Sequence, residues 1–272
     1  MTLLLRLILL LRSFAAQLMH RSMEAISYLL NYTRTMPSNS VRVVIFAQGR
    51  TGSTLLESLL CSTGHFRPHG ELLDTLKGEV LFPIKFLNGL SKWKPKNNFI
   101  FHVKITQLIK DRKHPVDPTL FLETLSKDGW KIIYLRRRNK VQHTLSVYFA
   151  RNRHPRYLLN AWHKFDDKPE ELNIFVDCPK FKRTTEKLIN HDAHEQKVLA
   201  NIEHHEVIYE DDLEKPESHQ KTVDRILEYL SLEQRQASTK HRKVNNQSPK
   251  ELVSNYEEFV ECLSKSGWEK FL

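Results

Sequence analysis

Two short segments of this chain carry the residues best suited to chemistry, and the chemistry they suit is holding an anion. The first reads Gln48-Gly49-Arg50-Thr51-Gly52-Ser53-Thr54-Leu55-Leu56. Gly52 lets the backbone approach a ligand closely, Thr51, Ser53 and Thr54 offer hydroxyl donors, and Arg50 adds a charged, fork-shaped one. A helix that begins here aims its first N–H groups and the positive end of its dipole at the same spot. The expected contact set for a phosphate is Gly49, Arg50, Thr51, Gly52, Ser53, Thr54 and Leu55. A Walker-type loop needs a lysine ahead of the hydroxyl pair, and none stands there. The second segment is Arg136-Arg137-Arg138-Asn139, with Ser146 eight residues beyond Arg138, about two helical turns. The plain alternatives are a capped strand–turn–helix junction for the first segment and a solvated arginine run for the second. The apolar strand ahead of each favours anion binding.

Those strands belong to an alternating pattern. Apolar runs at 41–47, 98–105, 130–135 and 205–210 read as strands, and 53–62, 118–127, 139–151 and 218–231 read as helices. Alternation of this kind implies a parallel sheet with helices on both faces, and such sheets bind ligands at the carboxyl ends of their strands. Residues 152–185, with Pro155, Pro169 and Pro179, lack clear periodicity. They read as a substrate-binding insertion, a lid or a surface excursion.

The chain has 272 residues, 40% hydrophobic and 27% charged, which suits one large α/β domain. A net charge of +10 favours anionic partners without choosing among nucleotides, nucleic acid, membranes and acidic substrates. Cys61, Cys178 and Cys262 are far apart and odd in number, which argues against a disulfide framework and fits a reducing compartment. The histidine pairs His65/His69 and His191/His194 lack an HExxH-type signature and read as loop or surface residues. Residues 2–32 form an amphipathic helix. Thr2, Arg6, Ser13, Gln17, His20, Arg21 and Glu24 share one face, and the leucines, Phe14, Leu18 and Met19 cover the rest. Such a helix lies either on a membrane or on the body of the protein. Its leucine run is too short and too interrupted by Arg6 and Arg12 to read as a spanning helix. Pro37 ends it, so 1–40 reads as an N-terminal segment and 41–272 as the domain. The expected setting is cytoplasmic, peripheral at a membrane, with a membrane anchor as the alternative.

Two anion sites on one sheet, the first without the kinase lysine, resemble the sulfotransferase superfamily. GRTGSTLLESLL is similar to its 5′-phosphosulfate loop, and YLRRRNKVQHTLSVY to its 3′-phosphate segment, in which an Arg and a Ser stand eight apart. His69-Gly70-Glu71-Leu72-Leu73, Val103-Lys104, Ile208-Tyr209-Glu210-Asp211-Asp212-Leu213, and the tail segments Ser254–Phe259 and Gly267–Leu272 resemble bacterial carbohydrate sulfotransferases of the nodulation-factor and trehalose type. The resemblance implies a P-loop-like sulfotransferase fold and the donor 3′-phosphoadenosine 5′-phosphosulfate (PAPS), with a carbohydrate or glycolipid acceptor and no metal. It gives Glu71 the role of general base. Lys104 and Arg50 would neutralise developing charge, Arg138 and Ser146 hold the 3′-phosphate, Tyr209 contact the adenine, and Arg242 and Lys243 close over the 3′-phosphate. In soluble small-molecule sulfotransferases a histidine base follows the lysine. Here Thr106 stands at that place, so the base moves to Glu71. The rival readings are a P-loop-type kinase of a small molecule and a non-enzymatic binder of an anionic polymer. No recognition motif for nucleic acid is present.

Overall fold

Five strands, β1 (Arg42–Ala47), β2 (Phe66–Glu71), β3 (Asn98–Val103), β4 (Trp130–Arg136) and β5 (His205–Ile208), form one parallel sheet in the order β2-β3-β1-β4-β5. They are seen in a computed structural model that describes residues 3–37, 39–75, 78–93, 98–152, 173–241 and 248–272, with side chains described from residue 18 and, in the helix ending at 152, up to residue 150. Side chains alternate across the sheet. Val44, Phe46, Phe101 and Tyr134 face one apolar layer, shared with Phe121, Leu122 and Leu125, and Val43, Ile45, Ile133 and Val207 face the other, shared with Leu56, Val223 and Ile226. The chain leaves β1 toward β2 on one side and leaves β4 toward β5 on the other, so β1 and β4 flank a topological switch point.

The helices are α1 (Leu3–Thr33), α2 (Ser53–Ser62), α3 (Pro83–Ser91), α4 (Ile105–Ile109), α5 (Pro118–Lys127), α6 (Lys140–Asn152) and α7 (Cys178–Leu199), then Tyr209–Asp212, His219–Tyr229, Pro249–Leu252 and Tyr256–Ser264. The expected α/β class with a central parallel sheet is observed. The strand read over 205–210 ends at Ile208 and Tyr209 opens a short helix, and two further departures from the sequence reading bear on the site. β2 supplies a fifth strand whose Pro68 and Gly70 suggest a turn; as an edge strand it tolerates the missing N–H. The 22 residues of α7 begin inside the stretch that lacked periodicity. Asp177 caps this helix by accepting from the Lys180 N–H, and Pro179 sits in its first turn.

The cysteine reading is corrected. Cys178 and Cys262 form a disulfide across a sequence separation of 84. The start of α7 and the helix Tyr256–Ser264 share a third apolar cluster with α6, containing Val141, Phe149, Phe181, Phe259 and Leu263. Distance along the chain therefore said nothing about distance in space. Disulfides persist in oxidising surroundings, so the reducing-compartment expectation loses its footing.

The orientation of α1 also differs from what its hydropathy suggests. Its polar face, His20, Glu24 and Ser27, is the buried one. Burial alone would raise the Glu24 carboxyl, but hydrogen bonds from Tyr28, the Leu81 N–H and Arg21 outweigh it and hold it below the ordinary carboxylate value. Arg21 also donates to the Glu79 carbonyl at 2.8 Å. The helix meets α3 at Gly89, where a Cβ would lie 1.6 Å from the Ser27 carbonyl oxygen. Gly89→Ala should therefore lower the unfolding free energy by about 1–3 kcal/mol, the usual cost of overpacking. A urea midpoint unchanged from the parent would show that the two helices do not touch there.

Candidate active site

The turn after β1 bends through two left-handed residues, Arg50 (φ 70°) and Gly52 (φ 97°). Gly52 precedes α2 and, being glycine, gives the first N–H groups of this ten-residue helix no side-chain cap. A Cβ on Gly52 would come within 3.0 Å of the Tyr209 ring. That contact places Tyr209 against the turn and requires glycine there. Thr51 is turned inward, its hydroxyl donating to the Gln48 carbonyl at 2.7 Å. Ser53 is buried in the first turn of α2, Leu55 is half-buried and Thr54 is exposed.

On the β3 side, Lys104 Nζ lies 2.7 Å from Glu71 Oε2. The Gln107 amide donates to the same oxygen at 2.6 Å, and its carbonyl accepts the Lys104 N–H at 2.9 Å. The lysine stem passes Gly49 so closely that a Cβ there would sit 3.4 Å from Lys104 Cε. Glu71, Lys104 and the turn thus meet, although they lie far apart in sequence. Behind them stand residues the sequence did not single out. His102 Nδ1 is 3.9 Å from Glu71 Oε1, and its Nε2 is 3.5 Å from Glu57 Oε2. Glu57 accepts the N–H groups of His69 and Gly70 at 3.0 and 2.9 Å, which fixes the strand end that carries Glu71. Burial alone would raise the Glu57 carboxyl, but His102 and these N–H groups hold it below its ordinary value. One signal was available, a single acid in the apolar helix STLLESLL.

On the β4 side, His143 is fully buried with Nε2 2.7 Å from the Gly49 carbonyl. Burial, above all, pushes its pKa down to about 3. The ring is therefore neutral, and Nε2 must carry the proton it donates. Arg50 donates to Ser146 Oγ at 3.3 Å, which joins the first anion segment to the helix of the second. Arg137 is buried, with its guanidinium 4.5 Å over the Tyr209 ring and its Nε 3.7 Å from Glu210 Oε1, an ion pair longer than a hydrogen bond. Arg138 is more exposed. Its side chain pairs with Asp211, and its N–H donates to Glu210 at 2.9 Å. Ser146 and the Arg138 guanidinium thus have different partners in this structure. Arg242 and Lys243 lie outside the described residues.

Beneath the turn, Gln48 donates to the buried Glu195 of α7 at 3.0 Å. Tyr134 donates to Asp192 and Glu195 at 3.3 and 3.4 Å, and Lys140 donates to Asp192 at 2.8 Å.

No family model matches this chain, and no curated protein sequence matches it. Solved structures similar to it include a shikimate kinase from Bacteroides thetaiotaomicron, with 14% identity and a TM-score of 0.43 over 71% of this chain and 99% of that one.

Burial, reinforced by the charge of Asp192, pushes the Glu195 carboxyl up to about 8. The folded protein therefore keeps a proton that the unfolded chain releases above about 4.5, an ordinary carboxyl value. Stability from this group is complete below that pH and declines as pH rises toward 8. Glu195→Gln should flatten the decline, with a gain on the order of a few kcal/mol at pH 8 and little at pH 5. Urea midpoints across that range check it, and parallel curves for the two proteins would refute the assignment.

Proposed function

We propose that this chain is a PAPS-dependent sulfotransferase that moves a sulfuryl group onto a hydroxyl of a carbohydrate or glycolipid. The observation that carries the reading is the Glu71–Lys104 pair, 2.7 Å apart and beside a phosphate turn that has no lysine of its own. It brings a proton acceptor and a cation to one point, as transfer to a hydroxyl requires. Two features support an anionic ligand: the start of α2, which has no side-chain cap, and the buried positive charge of Arg137 beside Tyr209. The motif resemblance supplies the identity of the donor.

PAPS supplies an activated sulfuryl group on a phosphate leaving group. Glu71 takes the proton of the acceptor hydroxyl as its oxygen forms the new bond to sulfur. Lys104 and Arg50 balance the charge left on the departing phosphate oxygen. The N–H groups of the turn, with Ser53 and Thr54, hold the 5′-phosphate, and Thr51 keeps the turn in shape through its bond to Gln48. Arg138 and Ser146 hold the 3′-phosphate, and Tyr209 lies beside the turn to receive the adenine. Arg50 links the two halves through Ser146, so both phosphates are sensed by connected residues. Arg242 and Lys243 complete the 3′-phosphate contacts in this reading.

Glu71→Gln should lower sulfuryl transfer by about 10²–10⁴-fold, the range for losing a general base, while retaining 3′-phosphoadenosine 5′-phosphate. Normal turnover by that variant would remove the base. Arg138→Ala should weaken the 3′-phosphorylated nucleotide far more than its 3′-dephospho counterpart, and equal losses would remove the 3′-phosphate assignment. Turnover of ATP with Mg²⁺, and none of PAPS, would replace the whole reading with a kinase.

A further inference from the structure

The outward face of α1 is apolar, and the exposed large hydrophobic side chains among the described residues concentrate there. Twelve large hydrophobic side chains are exposed among the described residues, and seven of them lie on α1 or on Leu81–Phe82 just ahead of α3. Leu18, Ile26, Leu29 and Tyr32 are 59, 40, 62 and 71% exposed. The Phe82 ring packs edge-on to Tyr28 at 5.8 Å, and Lys85 Nζ lies 5.2 Å over Phe82 and 5.7 Å over Tyr32, so the patch is continuous from α1 to α3. Upstream in sequence, the same helical spacing from Leu18 falls on Leu4, Leu7, Leu11 and Phe14.

Arg21, Arg34 and Lys85 are the cations beside it, Arg21 and Arg34 also donating to backbone carbonyls of the body, and the nearby acids are paired: Glu24, the one acid between residues 18 and 37, with Arg21 and Tyr28, and Glu79 with Arg112. The helix cannot roll to hide Leu18 and Leu29. Its inner register is fixed by the Glu24 bonds and by the backbone contact of Ser27 with Gly89. No helix among the described residues is long and apolar enough to cross a membrane.

We infer that this face docks on the surface of an anionic lipid bilayer, with α1 lying in the interface plane. Exposed apolar patches of this kind mark contact surfaces. A helix with an apolar outer face and a basic rim is suited to the boundary of head groups and acyl chains. A second copy of the chain fits less well, because it would oppose Arg21, Arg34 and Lys85 to their own counterparts. The inference does not depend on the sulfuryl-transfer reading, and its test involves no turnover.

The full-length protein is sedimented with vesicles of pure phosphatidylcholine and with vesicles equimolar in phosphatidylcholine and phosphatidylglycerol. It should partition onto the anionic vesicles preferentially, and less so as salt rises. Ile26→Lys with Leu29→Lys, both at exposed positions, should cut that partitioning about tenfold or more and leave the thermal midpoint unchanged. Lys85→Glu should weaken binding to anionic vesicles alone. The milder Leu29→Ser covers the case in which the double variant fails to fold, and it should reduce partitioning in the same direction. Protein that stays in the supernatant with both vesicles overturns the inference. So does a lysine variant that sediments like the parent, since binding would then lie elsewhere. A dimer that the same substitutions break, with no uptake onto vesicles, would assign the face to a second copy.

Discussion

The turn between β1 and α2 is the constraint on which the rest of the site depends. A parallel sheet delivers all its carboxyl ends to one edge, and the switch point beside β1 leaves a crevice there. Only a turn that doubles back tightly can present N–H groups to that crevice. Arg50 adopts a left-handed conformation for this purpose, at a cost of about 1–3 kcal/mol for a residue with a side chain. The surroundings offset it from three directions: the Gly49 carbonyl accepts from His143, the Gln48 carbonyl accepts from Thr51, and Arg50 itself reaches Ser146. Tyr209 closes the fourth side against Gly52. A strained turn held by so many separate elements keeps its shape before any ligand arrives, which is what preorganised charge stabilisation requires.

Two acids are buried under this edge, and their opposite fates show what decides protonation in the interior. Both pay for burial. Glu57 meets two backbone N–H groups and His102, and together these overcome desolvation and keep it ionised. Glu195 has Gln48 and Tyr134 as donors but also the nearby negative charge of Asp192, and desolvation wins. The ionised acid stands behind the Glu71–Lys104 side, where its charge helps to orient His102. The protonated one stands under the turn, where its neutrality adds no negative charge beside the N–H groups at the start of α2.

The core strands β1, β3 and β4 and the helices that pack on them were legible because each is an apolar run of the right length between turn residues. The turn after β1 was legible as a tight strand-to-helix junction because glycine and hydroxyl residues follow an apolar run there. β2 was not, since edge strands need little hydrophobicity and tolerate Pro68. The first turns of α7 were obscured by proline and charge, although Asp177 and Pro179 spelled out a helix start. The partners of Glu71 lay beyond the sequence for a different reason. His102 and Gln107 reach it from β3 and α4, Glu57 of α2 stands behind His102, and the register Glu71↔His102 between neighbouring strands aligns them. Local pattern reports what one element buries; it does not report which elements meet.

The N-terminal helix shows that limit most clearly. Hydropathy assigns the polar face to water, yet His20, Glu24 and Ser27 are buried against the body while Leu18, Ile26 and Leu29 are exposed. Burying residues such as Leu18, Ile26 and Leu29 would yield about 1.5–3 kcal/mol each, so some larger preference must oppose it. Steric fit supplies part of it, because the backbone of Ser27 approaches α3 within a distance that only Gly89 permits. Polar satisfaction supplies the rest. Glu24 gathers Arg21, Tyr28 and the Leu81 N–H, and rolling the helix would strip a buried segment of these partners, at a cost of about 1–3 kcal/mol for each group left unpaired. The contact with the body is thus specified by hydrogen bonds and close backbone approach. Met23 and Tyr28 join that contact, while Leu18, Ile26 and Leu29 face outward as a separate surface with its own chemistry.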